Sequence, residues 1–301
     1  DWKGAPAILI QNYCDLTLEQ MTVKGGDETC YTLSNNNGEI VIDGSTIVAG
    51  KGTKYGPFAF DVCRYASYPS VHVTVKGASV IEGNVEISGT IGDNQSRQLD
   101  IEGGTFKGAF KVVNQPANIA ISGGTFSTAV LPEYCAAGFI PTANDDGTYG
   151  VKAGAYVAVT LGGEKKEMPF PDAWLVANIG ADAATWTTEA LEEKAKNELA
   201  KWQCYLFGLD PNKKEAKVVA TAGQGTDKAI PLTVANADAS ASPLVKGGYV
   251  TVAYVLMGSN DGTAWTQVAT SDKRDGLAIP LTGTTYKFYR VDVTVTSAEG
   301  N

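Results

Sequence analysis

Two neighbouring stretches, "LDIEGGTFKG" (Leu99–Gly108) and "IAISGGTFS" (Ile119–Ser127), decide the fold. Each sets an apolar-x-apolar triplet before a Gly-Gly corner, followed by Thr and Phe. Alternation of period two marks a short strand with one buried face. Paired glycines mark a corner at which a Cβ would obstruct the chain. Looser copies stand upstream: "LTLEQMTVKG" from Leu16, "IVIDGSTIVAG" from Ile40 and "VTVKGASVIEG" from Val73. A second alternating triplet precedes each copy: "ILI" at Ile8, "YTL" at Tyr31, "FDV" at Phe60, "VEI" at Val85 and "FKV" at Phe110.

Short strands and Gly/Asn turns recurring every few tens of residues are the signature of a solenoid, in which equivalent residues of successive repeats stack. The spacing predicts a parallel β-helix over residues 1–152, right-handed by the general crossover preference. In this reading Phe126 stacks on Phe106. Asn84, Asn114, Asn118 and the run Asn35–Gly38 serve the other corners, where Asn tolerates left-handed backbone.

After Val151 the glycine-corner repeat stops. Residues 153–215 read as a connecting segment with one strand ("YVAVTL", Tyr156–Leu161), a proline-broken stretch ("MPFPDAWL", Met168–Leu175) and one amphipathic helix over about 187–207. Leu191, Ala195, Leu199, Trp202 and Leu206 fall on one helical face, with Thr187 or Thr188 as cap and Gly208 and Pro211 as terminators. Residues 216–301 return to alternating strands. There "SNDGTAW" is a hairpin signal with Asp261 as a turn residue, and the pattern predicts a small antiparallel β-sandwich.

Composition bounds the partners. The 301 residues carry a net charge of −9 and no long basic run, which argues against nucleic acid and anionic membrane surfaces. No apolar stretch reaches the roughly 20 residues needed to span a bilayer, so no membrane insertion is expected. The chain begins "DWKGAPAILI", without initiator Met or signal peptide, and reads as a mature or excised piece. Five scattered cysteines (Cys14, Cys30, Cys63, Cys135, Cys204) form no Cys-x-x-Cys pair. With the single His72 they give no expectation of a zinc site or any other cofactor.

The passage from Ile121 to Val151, "ISGGTFS" through "DDGTYGV", resembles the closing segment of β-helix repeat proteins on the surface of gut bacteria. "KWQCYLFGLDP" (Lys201–Pro211) and "YVLMGSNDGTAWTQV" (Tyr254–Val268) are similar to a C-terminal β-sandwich module that follows such helices. The resemblance implies a bacterial secreted or cell-surface location. Related modules read Asn-Gly-Leu before the Trp, sometimes within a calcium-type Asp pattern. Here the stretch is "NELAKW" (Asn197–Trp202), so no calcium site carries over.

Site candidates follow from the repeat register. The residues after the motif triplets give one outward row, Glu19, Asp43, Lys76, Glu102 and Ser122. The middles of the second triplets give another, Leu9, Thr32, Asp61, Glu86 and Lys111. Neighbours in a row lie roughly 4.8 Å apart. Asp61 beside Glu86 is therefore a carboxylate pair suited to sharing a proton or to retaining glycosidase chemistry, set against a solvated ladder in which Lys111 relieves repulsion. His72 points outward in "VHVTV" with no partner definable from sequence. Tyr55, Phe58, Arg64, Tyr65 and Tyr68 gather in the long third repeat as candidate ring platforms for sugars, set against rings that pin their own loops.

These features favour a non-catalytic adhesion or scaffold protein with a surface glycan or host protein as partner. A polysaccharide-active enzyme, hydrolase or lyase, working at Asp61 and Glu86 is one alternative. A structural subunit that self-associates head to tail through its β-helix ends is the other, since the N-terminal end shows no cap.

Overall fold

The triplets become strands wherever apolar residues alternate, and the computed structural model describes residues 7–63, 68, 71–88, 99–113 and 118–298. Arg64, Tyr65 and Asn114, singled out above, lie outside the described residues. The molecule is mainly β and divides after Gly154 into two compact units.

In the first unit the strands succeed one another in threes. They are β1 (Ala7–Asn12), β2 (Leu16–Glu19) and β3 (Thr22–Lys24); β4 (Thr29–Asn35), β5 (Gly38–Asp43) and β6 (Thr46–Val48); β7 (Phe58–Cys63), β8 (Val71–Lys76) and β9 (Val80–Glu82). The series continues with β10 (Asn84–Ser88), β11 (Leu99–Ile101) and β12 (Thr105–Phe106), then β13 (Phe110–Val112), β14 (Ile119–Ile121) and β15 (Thr125–Phe126). First members pair with first members, giving a parallel sheet β1-β4-β7-β10-β13; second and third members form two further parallel sheets in the same order. β16 (Phe139–Ala143) and β17 (Tyr149–Leu161) close the third sheet antiparallel, β17 pairing with β15. That edge is therefore occupied, whereas β1, β2 and β3 have no partner strand on their outer side among the described residues.

Register explains the core. Ile40, Val73, Leu99 and Ile119 stand directly opposite one another across the second sheet and are all buried. Phe106 and Phe126 pair in the third sheet, with ring centroids 5.0 Å apart and planes within 18°. Each such ring removes enough apolar surface to stabilise the fold by about 1.5–3 kcal/mol. The two glycines of the repeated motif act differently. A Cβ on Gly123 would sit 2.2 Å from the Glu102 carbonyl oxygen, and Gly124 has φ +102°, a region open to glycine. Ser45 and Ser79, both fully buried, bridge the neighbouring corner: Ser45 N–H donates to Ser79 Oγ at 3.3 Å, and that hydroxyl donates to Lys76 O at 2.7 Å.

The asparagines do not act as expected. Asn35, Asn36 and Asn37 lie outside the left-handed region, which at this corner is taken by Gly38. Their role belongs to the side chains. Asn12 Nδ2 donates to Asn35 Oδ1 at 3.0 Å, and Asn35 Nδ2 donates to Gly38 O and His72 O at 2.9 and 2.8 Å. Buried backbone carbonyls at the corner are thus satisfied by amides.

The second unit has its own core. β17 pairs with β18 (Glu164–Pro171), and Val157, Val159, Leu161, Met168 and Phe170 from this pair are buried in that core. The segment is structural wall, not a mere connection. Pro171, expected to break the chain, instead precedes α1 (Asp172–Asn178): Pro tolerates the extended backbone of an N-cap and forfeits no helical bond there. The single helix expected over 187–207 is two, α2 (Thr188–Glu192) and α3 (Lys201–Leu206). Thr187 Oγ1 caps α2 from Ala190 N–H, and Gly208 at φ +65° follows α3. Between them Glu198 takes φ +71°, while the buried Asn197 amide donates to Ala216 O at 3.2 Å. Leu191, Trp202 and Leu206 are still buried, so a broken helix serves the same apolar stripe.

Two antiparallel three-stranded sheets complete the unit in a sandwich-like arrangement. One contains β19 (Val219–Ala222), β20 (Ala229–Ala235) and β23 (Leu277–Pro280), with α4 (Pro243–Lys246) following β20 in the chain. The other contains β21 (Val250–Ser259), β22 (Thr266–Ser271) and β24 (Phe288–Ser297). The expected hairpin joins β21 to β22. Asp261 Oδ1 accepts from the N–H groups of Thr263 and Ala264, and these bonds hold its carboxyl well below the usual carboxylate range.

Candidate functional site

The first sheet gathers the chain's most unusual set of polar groups. Its register runs Gln11, Ser34, Asp61, Glu86, Lys111, so Leu9 and Thr32 do not belong to the row in which they were expected. Leu33 stands opposite Phe60, two residues on from the alignment that the triplets suggested. Phe58 pairs with Asn84 and Phe60 with Val85, so Ala59 is an extra residue in β7. A bulge of this kind re-aims side chains. Phe58 accordingly lies beneath a cation, with Lys111 Nζ 5.1 Å from its ring centroid, and its ring stacks on Tyr31 at 5.3 Å.

Glu86 is the hub. Its Oε1 lies 3.0 Å from Lys111 Nζ and its Oε2 accepts from Tyr31 Oη at 2.8 Å. Asp61 and Glu86 are 5% and 7% exposed, so the outward, solvated ladder expected here is in fact covered. Asp61 Oδ1 has no hydrogen-bond partner. Burial, reinforced by the Glu86 charge, pushes the Asp61 carboxyl up to about 7; bonds from the Ser34 side chain and Asn35 backbone pull it partway back. Burial and the bond to Glu86 likewise raise the Tyr31 phenol. Asp61 can therefore hold a proton to near neutrality while buried in the first sheet.

The other expected row is a solvated one. Lys76 Nζ lies 3.6 Å from Asp43 Oδ2 with both side chains well exposed, a pair worth at most about 1 kcal/mol. His72 does have partners: Nε2 lies 3.0 Å from Asp100 Oδ2 and Nδ1 3.6 Å from Glu39 Oε1, linking β5, β8 and β11. Alternation gave its outward direction, and only strand register supplies the two carboxylates.

Of the candidate rings, Phe58 is buried and unavailable to a ligand, whereas Tyr55 is exposed with Lys54 Nζ 5.5 Å from its ring centroid. Tyr68 is exposed and its ring lies 5.1 Å from that of Tyr13, a residue the sequence reading passed over. Gln11 Nε2 donates to Tyr13 Oη at 2.8 Å and to Asn36 Oδ1 at 2.9 Å, and Asn37 Nδ2 donates to Tyr13 O at 3.0 Å. Two rings and a row of amides thus share one edge of the first unit. The only forewarning was an aromatic residue in the turn "NYCD".

Among the described residues no three His, Cys, Asp or Glu side chains come together to hold a metal ion, and no helix is long and apolar enough to cross a membrane. No disulfide joins the cysteines; Cys30 and Cys204 are buried. Comparison of the chain with known protein families, with curated proteins and with solved structures finds no match.

Proposed function

We propose that the chain is a non-catalytic, secreted or cell-surface adhesion protein of bacterial type that binds a surface glycan, its first unit being a right-handed parallel β-helix. The succession of strands in threes supports the β-helix, and the hand follows from the crossover preference. The observation that carries the binding role is the exposed Tyr13–Tyr68 pair beside the exposed Gln11 amide, with Asn36 and Asn37 holding Gln11 and the Tyr13 backbone in place. Ring faces stack on the apolar side of a pyranose while the Gln11 amide oxygen accepts from one of its hydroxyls. On a broad glycan array the chain binds one sugar class saturably, and Tyr13→Ala with Tyr68→Ala lowers affinity at least about tenfold, a loss of about 1.4 kcal/mol. A blank array, or binding indifferent to both substitutions, overturns the reading.

A second reading, a polysaccharide-active enzyme, is favoured by one observation: the proton held on Asp61 to about pH 7 beside Glu86, a pairing that suits acid–base chemistry. The burial of both carboxyls and the commitment of Glu86 to Lys111 and Tyr31 weigh against it. Turnover of neutral or acidic glycans that disappears in Asp61→Asn and Glu86→Gln would establish it.

A further inference from the structure

The second unit contains a groove of about 470 Å³ that involves neither the acid cluster nor the tyrosine pair. Trp174 of α1 and Tyr205 of α3 line it, with centroids 5.1 Å apart and planes inclined by 54°. Both lean on the buried Phe170, at 5.7 and 5.2 Å, which fixes the angle between them. Asn178, the last residue of α1, also lines the groove, and one hydrogen of its Nδ2 goes to Trp174 O at 2.9 Å. Beyond α3 the groove is bordered by Asp210 and Pro211. Asp210 is exposed, and its Oδ1 accepts from the Asn212 N–H at 2.9 Å. No lysine or arginine lines the groove, and among the described residues none forms an ion pair with Asp210.

The charged side chain and the ring faces of the groove share one sign: aromatic faces carry the negative side of the ring quadrupole, and Asp210 carries a full negative charge. The walls are otherwise apolar. An anion would meet the Asp210 charge with no side-chain cation to offset it. An organic cation with an apolar shell matches on both counts, and the volume lies within the range of small-molecule sites, roughly 300–1,000 Å³.

We propose that this groove binds a quaternary ammonium group, Trp174 and Tyr205 holding its methyl shell by cation–π contact and Asp210 balancing its charge. The test is titration of the full chain with choline chloride and, separately, with its uncharged carbon isostere 3,3-dimethylbutan-1-ol, read by tryptophan fluorescence and calorimetry. Choline binds saturably, the isostere at least about tenfold more weakly, and Asp210→Asn weakens choline about three- to tenfold. Because Trp174 packs on Phe170, the exposed Asp210 is the variant of choice: its exchange leaves the core untouched. Parallel titration with a trimethyllysine peptide separates a modified protein from a small metabolite as the source, and binding of either supports the class. Absence of saturation up to about 50 mM, equal binding of the isostere, or an Asp210→Asn variant that binds choline unchanged overturns the proposal.

Discussion

A carboxyl sealed within a parallel sheet costs stability once it loses its proton, and Asp61 shows the consequence for pH. Its folded form holds the proton to about pH 7, against 3.8 for the ordinary group, because burial penalises the charge. Between those values the folded chain binds more protons than the unfolded one, so stability falls as pH rises from about 4 to about 7 and is level beyond. The gap of about three units corresponds to up to about 4 kcal/mol at 1.36 kcal/mol per unit. Asp61→Asn, close in shape and always neutral, removes this loss. Urea unfolding should give matching stabilities for the two chains at pH 4 and a variant more stable by up to about 4 kcal/mol at pH 8. A variant less stable than the parent at pH 8 would mean that the ionised carboxylate is itself held by bonds that the amide cannot make.

At the scale of the element, the repeat depends on how closely one corner lies on the next. Gly123 has an ordinary φ, yet a Cβ there would meet the Glu102 carbonyl oxygen at 2.2 Å, backbone against backbone. Gly123→Ala should therefore cost about 2 kcal/mol or more, measured by denaturant unfolding, because no flexible side chain can give way. A loss under about 0.5 kcal/mol would show that neighbouring repeats separate easily. This corner was legible in the sequence because Gly-Gly-Thr-Phe occurs twice and its Phe residues stack. The acid row was legible only in part. Asp61, Glu86 and Lys111 follow from their triplets, but β7 holds two overlapping triplets, and Tyr31–Leu33 stands opposite Phe58–Phe60 and not Phe60–Val62, which takes Leu9 and Thr32 out of the row. Alternation also cannot tell an outward residue from an exposed one, so the burial of Asp61 was invisible. The break between α2 and α3 was missed for a related reason: apolar spacing continues through "EKAKNE" while Asn197 and Glu198 turn the chain. Tyr13 and Tyr68 are far apart in sequence, and no periodicity links them.

The whole molecule rests on two cores that share no residue. Phe60, Phe106 and Phe126 belong to the first, Phe170, Trp202 and Leu256 to the second, and β17 gives Tyr149 and Val151 to one and Val157, Val159 and Leu161 to the other. Separate cores imply separate cooperative units unless the strand between them transmits unfolding. Phe126→Ala and Phe170→Ala each empty a fully packed ring site, at about 3–5 kcal/mol. Differential scanning calorimetry of the full chain should resolve two transitions, Phe126→Ala lowering one and Phe170→Ala the other, each by roughly 10 °C for units of this size. A single transition lowered by either substitution would show that β17 couples the cores into one unit. The first outcome has a functional corollary: loss of Tyr13 and Tyr68 would leave the quaternary ammonium groove intact, and loss of Asp210 would leave glycan binding intact, because sites in units that unfold independently share no cooperative transition through which to couple.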